Sequence, residues 1–163
     1  MVNIVYANEK YFKSFHKALT EVAHERIYVE MIEPPPLDNV AAYQQGLIQA
    51  GGASYYAINE NDEVVGWADI FPDDNPRLKH RGSLGMGVIK KYRGQKVGER
   101  LLKACLLKAK EAGLEKVELN VYASNTIAHK LYKKLGFQEE GYIKHYRKLD
   151  GKYFDCILMG LFL

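Results

Sequence analysis

The segment from Gly87 to Gly98 limits most strongly what this chain can fold into. It joins an apolar, strand-like stretch to a long amphipathic stretch through a basic turn that contains Gly94. Apolar residues recur at three-and-four spacing over residues 96–112, which predicts a helix directly after the turn. Backbone N–H groups at such a junction, together with the positive end of the helix dipole, form a seat for a pyrophosphate.

The other segments predict a mixed α/β architecture in one domain over residues 1–163. Helices are expected at 10–26, 38–48, 96–112 and 125–135, with Asp38 as the N-cap of the second. Strands are expected at 3–6, 53–59, 63–71, 81–89, 116–122, 137–149 and 153–163, and Asp150-Gly151 predicts a hairpin between the last two. Only residues 81–121 form a tight strand–helix–strand crossover. The glycines inside the 81–89 strand predict a bulge or a close approach by a neighbouring group.

Composition excludes several classes of function. The net charge is +3, from 23 basic and 20 acidic residues, which is too small to predict nucleic-acid binding. No apolar run approaches the roughly 20 residues that span a bilayer, so no membrane association is expected. Cys105 and Cys156 form neither a disulfide framework nor a metal-ligand pattern, which favours a reducing cytoplasm.

The basic turn resembles the acetyl-CoA motif of the GNAT superfamily of N-acetyltransferases. That motif is Arg or Gln, two residues, Gly, one residue, then Gly or Ala. Here Arg93, Lys96 and Gly98 stand at these positions, after Val88 at the strand end. Lysine replaces the usual glycine at position 96. Because the first turn of a helix needs no positive φ, we expect lysine to fit, and its ammonium either attracts a phosphate or crowds the site.

A second motif lies about 30 residues downstream and makes the resemblance more specific. Asn125, Ala128 and Tyr132 follow the family's Asn, two residues, Ala, three residues, Tyr pattern, and Leu-Gly-Phe closes it at 135–137. The order of predicted elements also agrees with the family. The resemblance covers essentially the whole chain, and it implies a GNAT-like fold with a central, mostly antiparallel mixed sheet of about seven strands and helices on both faces.

The resemblance also implies a site and a mechanism. Acetyl-CoA is the expected cosubstrate, without a metal, and an amine attacks its thioester directly in a ternary complex. The Val88 backbone N–H is expected to polarise the thioester carbonyl, and the Tyr132 hydroxyl to act as general acid near the sulfur. The expected cofactor-binding residues are Val88, Arg93, Gly94, Gln95, Lys96, Val97, Gly98, Asn125 and Tyr132.

A general base is also needed, because a free alkyl amine has a pKa of about 10.4 and is mostly protonated at neutral pH. Glu30 and Glu33 are the leading candidates, since they lie in the proline-rich connection that forms a wall of the acceptor pocket in this family. Further candidates of similar weight are Asp69, His80, Tyr146 and Asp155.

The acceptor remains open among three hypotheses. The C-terminal hairpin resembles the family branch that acetylates amino acids and other small amines, so a small-molecule amine or amino acid is the first. A protein N-terminal or lysine acetyltransferase is the second, favoured by a wide, shallow groove. A non-catalytic CoA-binding module is the third, and it depends on Lys96 and on the unassigned base. Homodimers are common in the family.

Overall fold

Seven strands form one sheet, and four helices cover its two faces. The computed structural model describes residues 1–163. The strands are β1 (Asn3–Tyr6), β2 (Ala53–Ile58), β3 (Val64–Pro72), β4 (Arg81–Val88), β5 (Lys116–Tyr122), β6 (Gln138–Leu149) and β7 (Lys152–Phe162). The helices are α1 (Phe12–His24), α2 (Leu37–Gln49), α3 (Val97–Glu111) and α4 (Thr126–Lys134). The predicted α/β class and element order are confirmed.

The strands lie in the order β1-β2-β3-β4-β5-β7-β6. Every neighbouring pair is antiparallel except β4 and β5, which are joined by the α3 crossover and run parallel. The turn at Asp150 and Gly151 has φ values of 52° and 75°, which is the backbone that a tight two-residue hairpin requires.

Each face of the sheet has its own apolar core. On one face, α3 buries Leu101, Leu102 and Cys105 against β2, β3 and β5. On the other face, α1 buries Phe12, Phe15 and other apolar residues against the inner strands. The three-and-four spacing of apolar residues in both helices therefore covers both faces of the sheet.

The feature of the fold that matters most for the site is a gap in the sheet. β4 and β5 pair only over Arg81–Ser83 and Lys116–Glu118. Beyond these residues the two strands diverge, although β4 continues to Val88 and β5 to Tyr122. The backbone groups of both strands that face the gap are consequently available to other partners.

The predicted ends of α1 and the predicted N-cap of α2 differ from the structure. Helix α2 begins at Leu37 after Pro36, so Asp38 lies in the first turn and no side chain caps the helix. Proline suits this place because it has no N–H to satisfy. A short 3-10 turn precedes α1, which ends at His24 rather than Arg26. Arg26 has a φ of 64°, which no α-helix can contain.

Gly87 of β4 marks a close approach rather than a bulge. The β3–β4 register is continuous, which excludes a bulge between these strands. A Cβ on Gly87 would overlap the indole ring of Trp67, while a Cβ on Gly85 would meet nothing. Gly87 thus makes room for a buried tryptophan across the strand pair. None of the helices has the length and apolar character needed to cross a bilayer.

Candidate active site

A cavity of about 890 Å³ opens where β4 and β5 diverge. Five segments supply most of its lining: the connection after α1, the outer half of β4, the turn before α3, the end of β5, and one side of α4. Single residues of α1, β3, β6 and β7 complete it. Most of the lining residues are apolar or aromatic, with a few polar groups among them. This composition is typical of small-molecule and cofactor sites.

The turn before α3 presents a run of free backbone N–H groups. None of the six N–H groups from Gly94 to Glu99 has a backbone or side-chain acceptor, and α3 has no side-chain cap. Gly94 and Lys96 both have positive φ values, 75° and 61°. Consecutive unpaired N–H groups at a helix start form an anion-binding concavity. The predicted pyrophosphate seat therefore has its donors in place.

Lys96 departs from the sequence prediction in its backbone. It is the N-cap of α3 and adopts the left-handed conformation, with φ of 61° and ψ of 12°. A residue with a Cβ pays about 1 kcal/mol or more for this conformation, which glycine adopts freely. The expectation that position 96 needs no positive φ is thus wrong, and the residue there is strained. Its ammonium has no partner in the protein.

Val88 turns its peptide groups into the gap. Ile89 donates its N–H to the Val65 carbonyl at 3.0 Å, so the neighbouring pair Gly66 and Val88 occupies a non-hydrogen-bonded position of the β3–β4 ladder. The Val88 N–H and C=O therefore point away from β3, toward diverging β5. The Val88 carbonyl accepts a bond of 2.8 Å from Arg93 Nε. Its N–H is left facing the cavity.

Helix α4 places Asn125 and Tyr132 along the same cavity wall. The Asn125 side chain accepts the Ala128 N–H at 3.2 Å and caps the helix, which confirms its predicted position. Tyr132 is buried against Phe137 and its hydroxyl makes no hydrogen bond within the protein. Burial raises the pKa of Tyr132, so the hydroxyl keeps its proton at neutral pH.

Arg93 differs from its predicted role. Its backbone N–H is bonded to the Lys90 carbonyl at 3.3 Å, so it is not one of the free donors. Its guanidinium forms a two-pronged ion pair with Glu25 and lies 4.4 Å from the ring centre of Tyr28. The hydrogen bonds to Glu25 raise the pKa of Arg93 further. Arg93 therefore joins the end of β4 to the connection after α1.

Of the six candidate bases, only Glu30 and Tyr146 line the cavity. Tyr146 of β6 donates its hydroxyl to the Glu30 carboxylate in a short hydrogen bond, and this bond raises the pKa of Tyr146 to about 12. Glu33 does not line the cavity. Its carboxylate pairs with His24 at 2.7 Å on the exposed surface.

The other three candidates lie away from the cavity. Asp69 is buried between α2 and the sheet, where it contacts Gln44 and Ser54. The Asp155 carboxylate accepts the Tyr142 hydroxyl at 2.6 Å and the His145 N–H at 2.8 Å. His80 precedes β4, and its carbonyl accepts two N–H groups at the start of β5. None of the three has a position from which to act on a group in the cavity.

Sequence reasoning missed Tyr122, at the end of β5. It is 5% exposed and lines the cavity, and its hydroxyl oxygen is the single side-chain polar atom without accessible surface that also has no hydrogen-bond partner. Burial raises the pKa of Tyr122, so this hydroxyl stays neutral. No local sequence signal identifies it, because its surroundings come from β6, β7 and the connection after α1.

The cavity thus has two chemically distinct parts. One part presents free N–H groups and the Lys96 ammonium, which suit a phosphate-rich anion. The other presents the Glu30 carboxylate among aromatic residues, which suits an amine. Between them, the Val88 N–H and the Tyr132 hydroxyl offer two donors. Such an arrangement can polarise a carbonyl, protonate a leaving group and deprotonate an attacking amine.

Comparisons with known proteins agree with this description. The model of the acetyltransferase (GNAT) family matches residues 16–137. The L-amino acid N-acetyltransferase AaaT of Escherichia coli is 26% identical over 148 residues, which cover 89% of this chain and 90% of that protein. An N-alpha-acetyltransferase of Sulfurisphaera tokodaii is 34% identical over 117 residues, 66% of this chain and 68% of that protein. The structure of a phosphinothricin acetyltransferase (Pat) from Sinorhizobium meliloti, in complex with AcCoA, superimposes with a TM-score of 0.92 at 18% identity, covering 99% of this chain and 88% of that one.

Proposed function

This chain belongs to the acetyltransferase (GNAT) family, and we propose that it transfers the acetyl group of acetyl-CoA to a primary amine of a small molecule or amino acid. The observation that carries the proposal is the gap between β4 and β5, with six free N–H groups at one end and the Glu30 carboxylate at the other. These groups match an anionic cosubstrate and a cationic acceptor in one cavity.

The residues present fit acetyl-CoA. The N–H groups of Gly94–Glu99 are the expected donors to its pyrophosphate, with Lys96 adding a positive charge. Asn125, Leu131 and Tyr132 line the cavity beside them. The left-handed backbone of Lys96 leaves its own N–H unpaired, so lysine does not remove a donor. This weakens the hypothesis of an impaired, non-catalytic module.

Acetyl-CoA supplies an acetyl thioester, and the chain supplies the groups that activate both partners. The Val88 N–H donates to the thioester carbonyl as negative charge develops on its oxygen. Glu30 accepts the proton that the amine must lose, and Tyr146 holds this carboxylate in place. A C–N bond forms and the C–S bond breaks. The Tyr132 hydroxyl donates its proton to the departing sulfur, and the second proton that the nitrogen loses as the amide forms restores this hydroxyl.

A small acceptor is favoured over a protein by the connection after α1, which is held against one end of the cavity. Tyr28, Val29, Glu30 and Met31 of the connection after α1 all line it. Arg93 and Arg147 hold this connection to β4 and β6, through Glu25 and the carbonyls of residues 26 and 30. A protein N-terminus or lysine needs an open groove. A protein N-terminus is the second candidate acceptor, because the similar protein from Sulfurisphaera tokodaii is an N-alpha-acetyltransferase.

Three further properties complete the proposal. Residues 1–163 form a single N-acetyltransferase domain, because all seven strands belong to one sheet. The enzyme works in the cytoplasm, in line with two buried cysteines that are both free. It forms a homodimer, as is common in the family.

The test is an amine panel in which thiol release from acetyl-CoA is followed for the purified protein. Wild type should release thiol only when a suitable amine is present. Tyr132→Phe should lower kcat by roughly 100-fold and leave the affinity for acetyl-CoA nearly unchanged, because it removes only the acid. Tyr142→Phe is the matched control, since its hydroxyl bonds Asp155 outside the cavity. Equal kcat values for wild type and Tyr132→Phe would exclude Tyr132 as the acid.

A further inference from the structure

The charges that line the cavity are mostly neutralised within the protein. Five ionised side chains line it: Glu30, Arg93, Lys96, Glu99 and Glu118. Three have partners of opposite charge: Arg93 pairs with Glu25, Glu99 with two lysines, and Glu118 with an arginine and a lysine. Glu30 and Lys96 have none. The lining of the cavity therefore contains one unpaired anion, Glu30, and one unpaired cation, Lys96.

The two unpaired charges belong to different parts of the site. Lys96 occupies the N-cap position of α3, beside the free N–H groups where the anionic cosubstrate is proposed to bind. Glu30 contacts Tyr146 on β6, and its charge raises the pKa of Tyr122 and Cys156, which places it at the end of β5. Once the cosubstrate occupies the Lys96 end, the acceptor finds a carboxylate and no free cation.

Arg147 is the arginine that contacts this part of the chain, but it does not line the cavity. Its terminal nitrogens donate to the Arg26 carbonyl at 3.2 Å and the Glu30 carbonyl at 3.1 Å. Its guanidinium lies 5.4 Å and 5.6 Å from the ring centres of Tyr122 and Phe154. Arg147 thus braces the connection after α1 with two of its donors on backbone carbonyls, and it does not line the cavity.

From this charge distribution we propose that the acceptor is a primary alkyl- or arylalkylamine without a carboxylate beside the amine. The inference rests on the proposed function and narrows it. A free amino acid would place its carboxylate near Glu30, where no cation lines the cavity to neutralise it, and the repulsion between the two carboxylates disfavours this. The ring of Tyr146, whose hydroxyl bonds Glu30, and the ring of Tyr122, 6.5 Å away, provide apolar surface for the body of the amine.

The experiment compares three acceptors that differ only at the carboxylate: phenethylamine, L-phenylalanine and L-phenylalaninamide. Thiol release at saturating acetyl-CoA gives kcat/KM for each, corrected for the fraction of neutral amine. The kcat/KM of phenethylamine should exceed that of L-phenylalanine by roughly 100-fold, as two like charges about 6 Å apart near a protein surface imply. The kcat/KM of uncharged L-phenylalaninamide should be close to that of phenethylamine, because the site disfavours the charge of the carboxylate and not its bulk.

Glu30→Gln adds a second readout. It should lower kcat/KM for phenethylamine and reduce the ratio of amine to amino acid toward one, which a purely structural change would not do. Glu33→Gln removes the same charge from the same connection outside the cavity, and it should keep the ratio of wild type. If Glu30→Gln is too slow to assay, calorimetric binding of phenethylamine and phenylalanine to wild type with CoA gives the same comparison.

Two results would overturn the inference in distinguishable ways. If L-phenylalanine is acetylated as well as or better than phenethylamine, the acceptor class is wrong and the proposed acetyltransferase function stands. If no amine or amino acid of a broad panel causes thiol release, the proposed function itself fails, and the narrower inference falls with it.

Discussion

Asp69 gives a prediction about stability that follows from counting hydrogen atoms in a buried network. Its carboxyl contacts Ser54 Oγ at 2.6 Å and Gln44 Nε2 at 3.0 Å. Ser54 Oγ also lies 3.0 Å from Gln44 Oε1, which accepts the Tyr56 hydroxyl as well. Ser54 has one hydrogen for two acceptors. A proton on Asp69 resolves this, because Asp69 then donates to Ser54 and Ser54 donates to Gln44.

The electrostatics agree with a protonated Asp69. The side chain is 3% exposed, and burial raises its pKa to about 7 although hydrogen bonds from Ser54 and Gln44 act in the opposite direction. The folded state therefore binds a proton that the unfolded state, with a pKa of about 3.9, releases earlier. The free energy of unfolding must fall as pH rises through this window, by about 4 kcal/mol in total for about three pH units.

Asp69→Asn should remove this dependence, because the asparagine amide can donate to Ser54 and accept from Gln44 without titrating. Chemical denaturation of both proteins at about pH 5 and about pH 9 gives the difference in unfolding free energy at each pH. The variant should gain roughly 3 kcal/mol relative to wild type between these values, since about two pH units of the window lie in this range.

The control is Asp38→Asn, which removes an exposed carboxylate on the same helix as Gln44 and should show no such gain. Any constant cost of the extra amide hydrogen in Asp69→Asn cancels in the comparison between the two pH values. A difference between Asp69→Asn and wild type that stays the same at both would show that Asp69 is already ionised in the fold, and the hydrogen count would be wrong.

Three further predictions test local geometry and charge. Lys96→Gly should raise the free energy of unfolding by up to about 1 kcal/mol by relieving the left-handed backbone, whereas Lys96→Ala keeps the strain and should show no gain; denaturation midpoints decide this. Lys96→Gly should also bind acetyl-CoA more weakly than wild type, because it loses a positive charge. Calorimetry should show that this loss of affinity is larger at low salt than at high salt. Gly87→Ala should lower the free energy of unfolding by roughly 1–3 kcal/mol, since its Cβ overlaps Trp67. Gly85→Ala, which has open space around its Cβ, should lower it by under about 1 kcal/mol. Equal losses at both glycines would refute the close approach.

The parts of the fold that could be predicted from the sequence have local signals. The spacing of apolar residues in α1 and α3, the Asp150-Gly151 turn and the glycine turn before α3 each lie within a few consecutive residues. The parallel placement of β4 and β5 followed from the single tight crossover. These elements agree with the prediction to within one or two residues at most ends.

The parts that could not be predicted join residues far apart in the chain. Glu30 and Tyr146 are separated by 116 positions, and Arg93 and Glu25 by 68. No local pattern marks either pair, so Glu33 looked equivalent to Glu30 until the fold placed it against His24. The left-handed backbone of Lys96 was not predicted for a different reason. Lys96 is the N-cap residue, which precedes the helix, so its conformation depends on how the turn orients its N–H groups.

The account depends above all on acetyl-CoA lying across the gap between β4 and β5 with its pyrophosphate on the turn before α3. Amide hydrogen exchange of the protein, with and without saturating acetyl-CoA, tests this residue by residue. The N–H groups of Gly94–Glu99 and of Val88, none of which has an acceptor in the protein, should become strongly protected. Saturable binding of acetyl-CoA that leaves these amides exchanging as before would contradict the account.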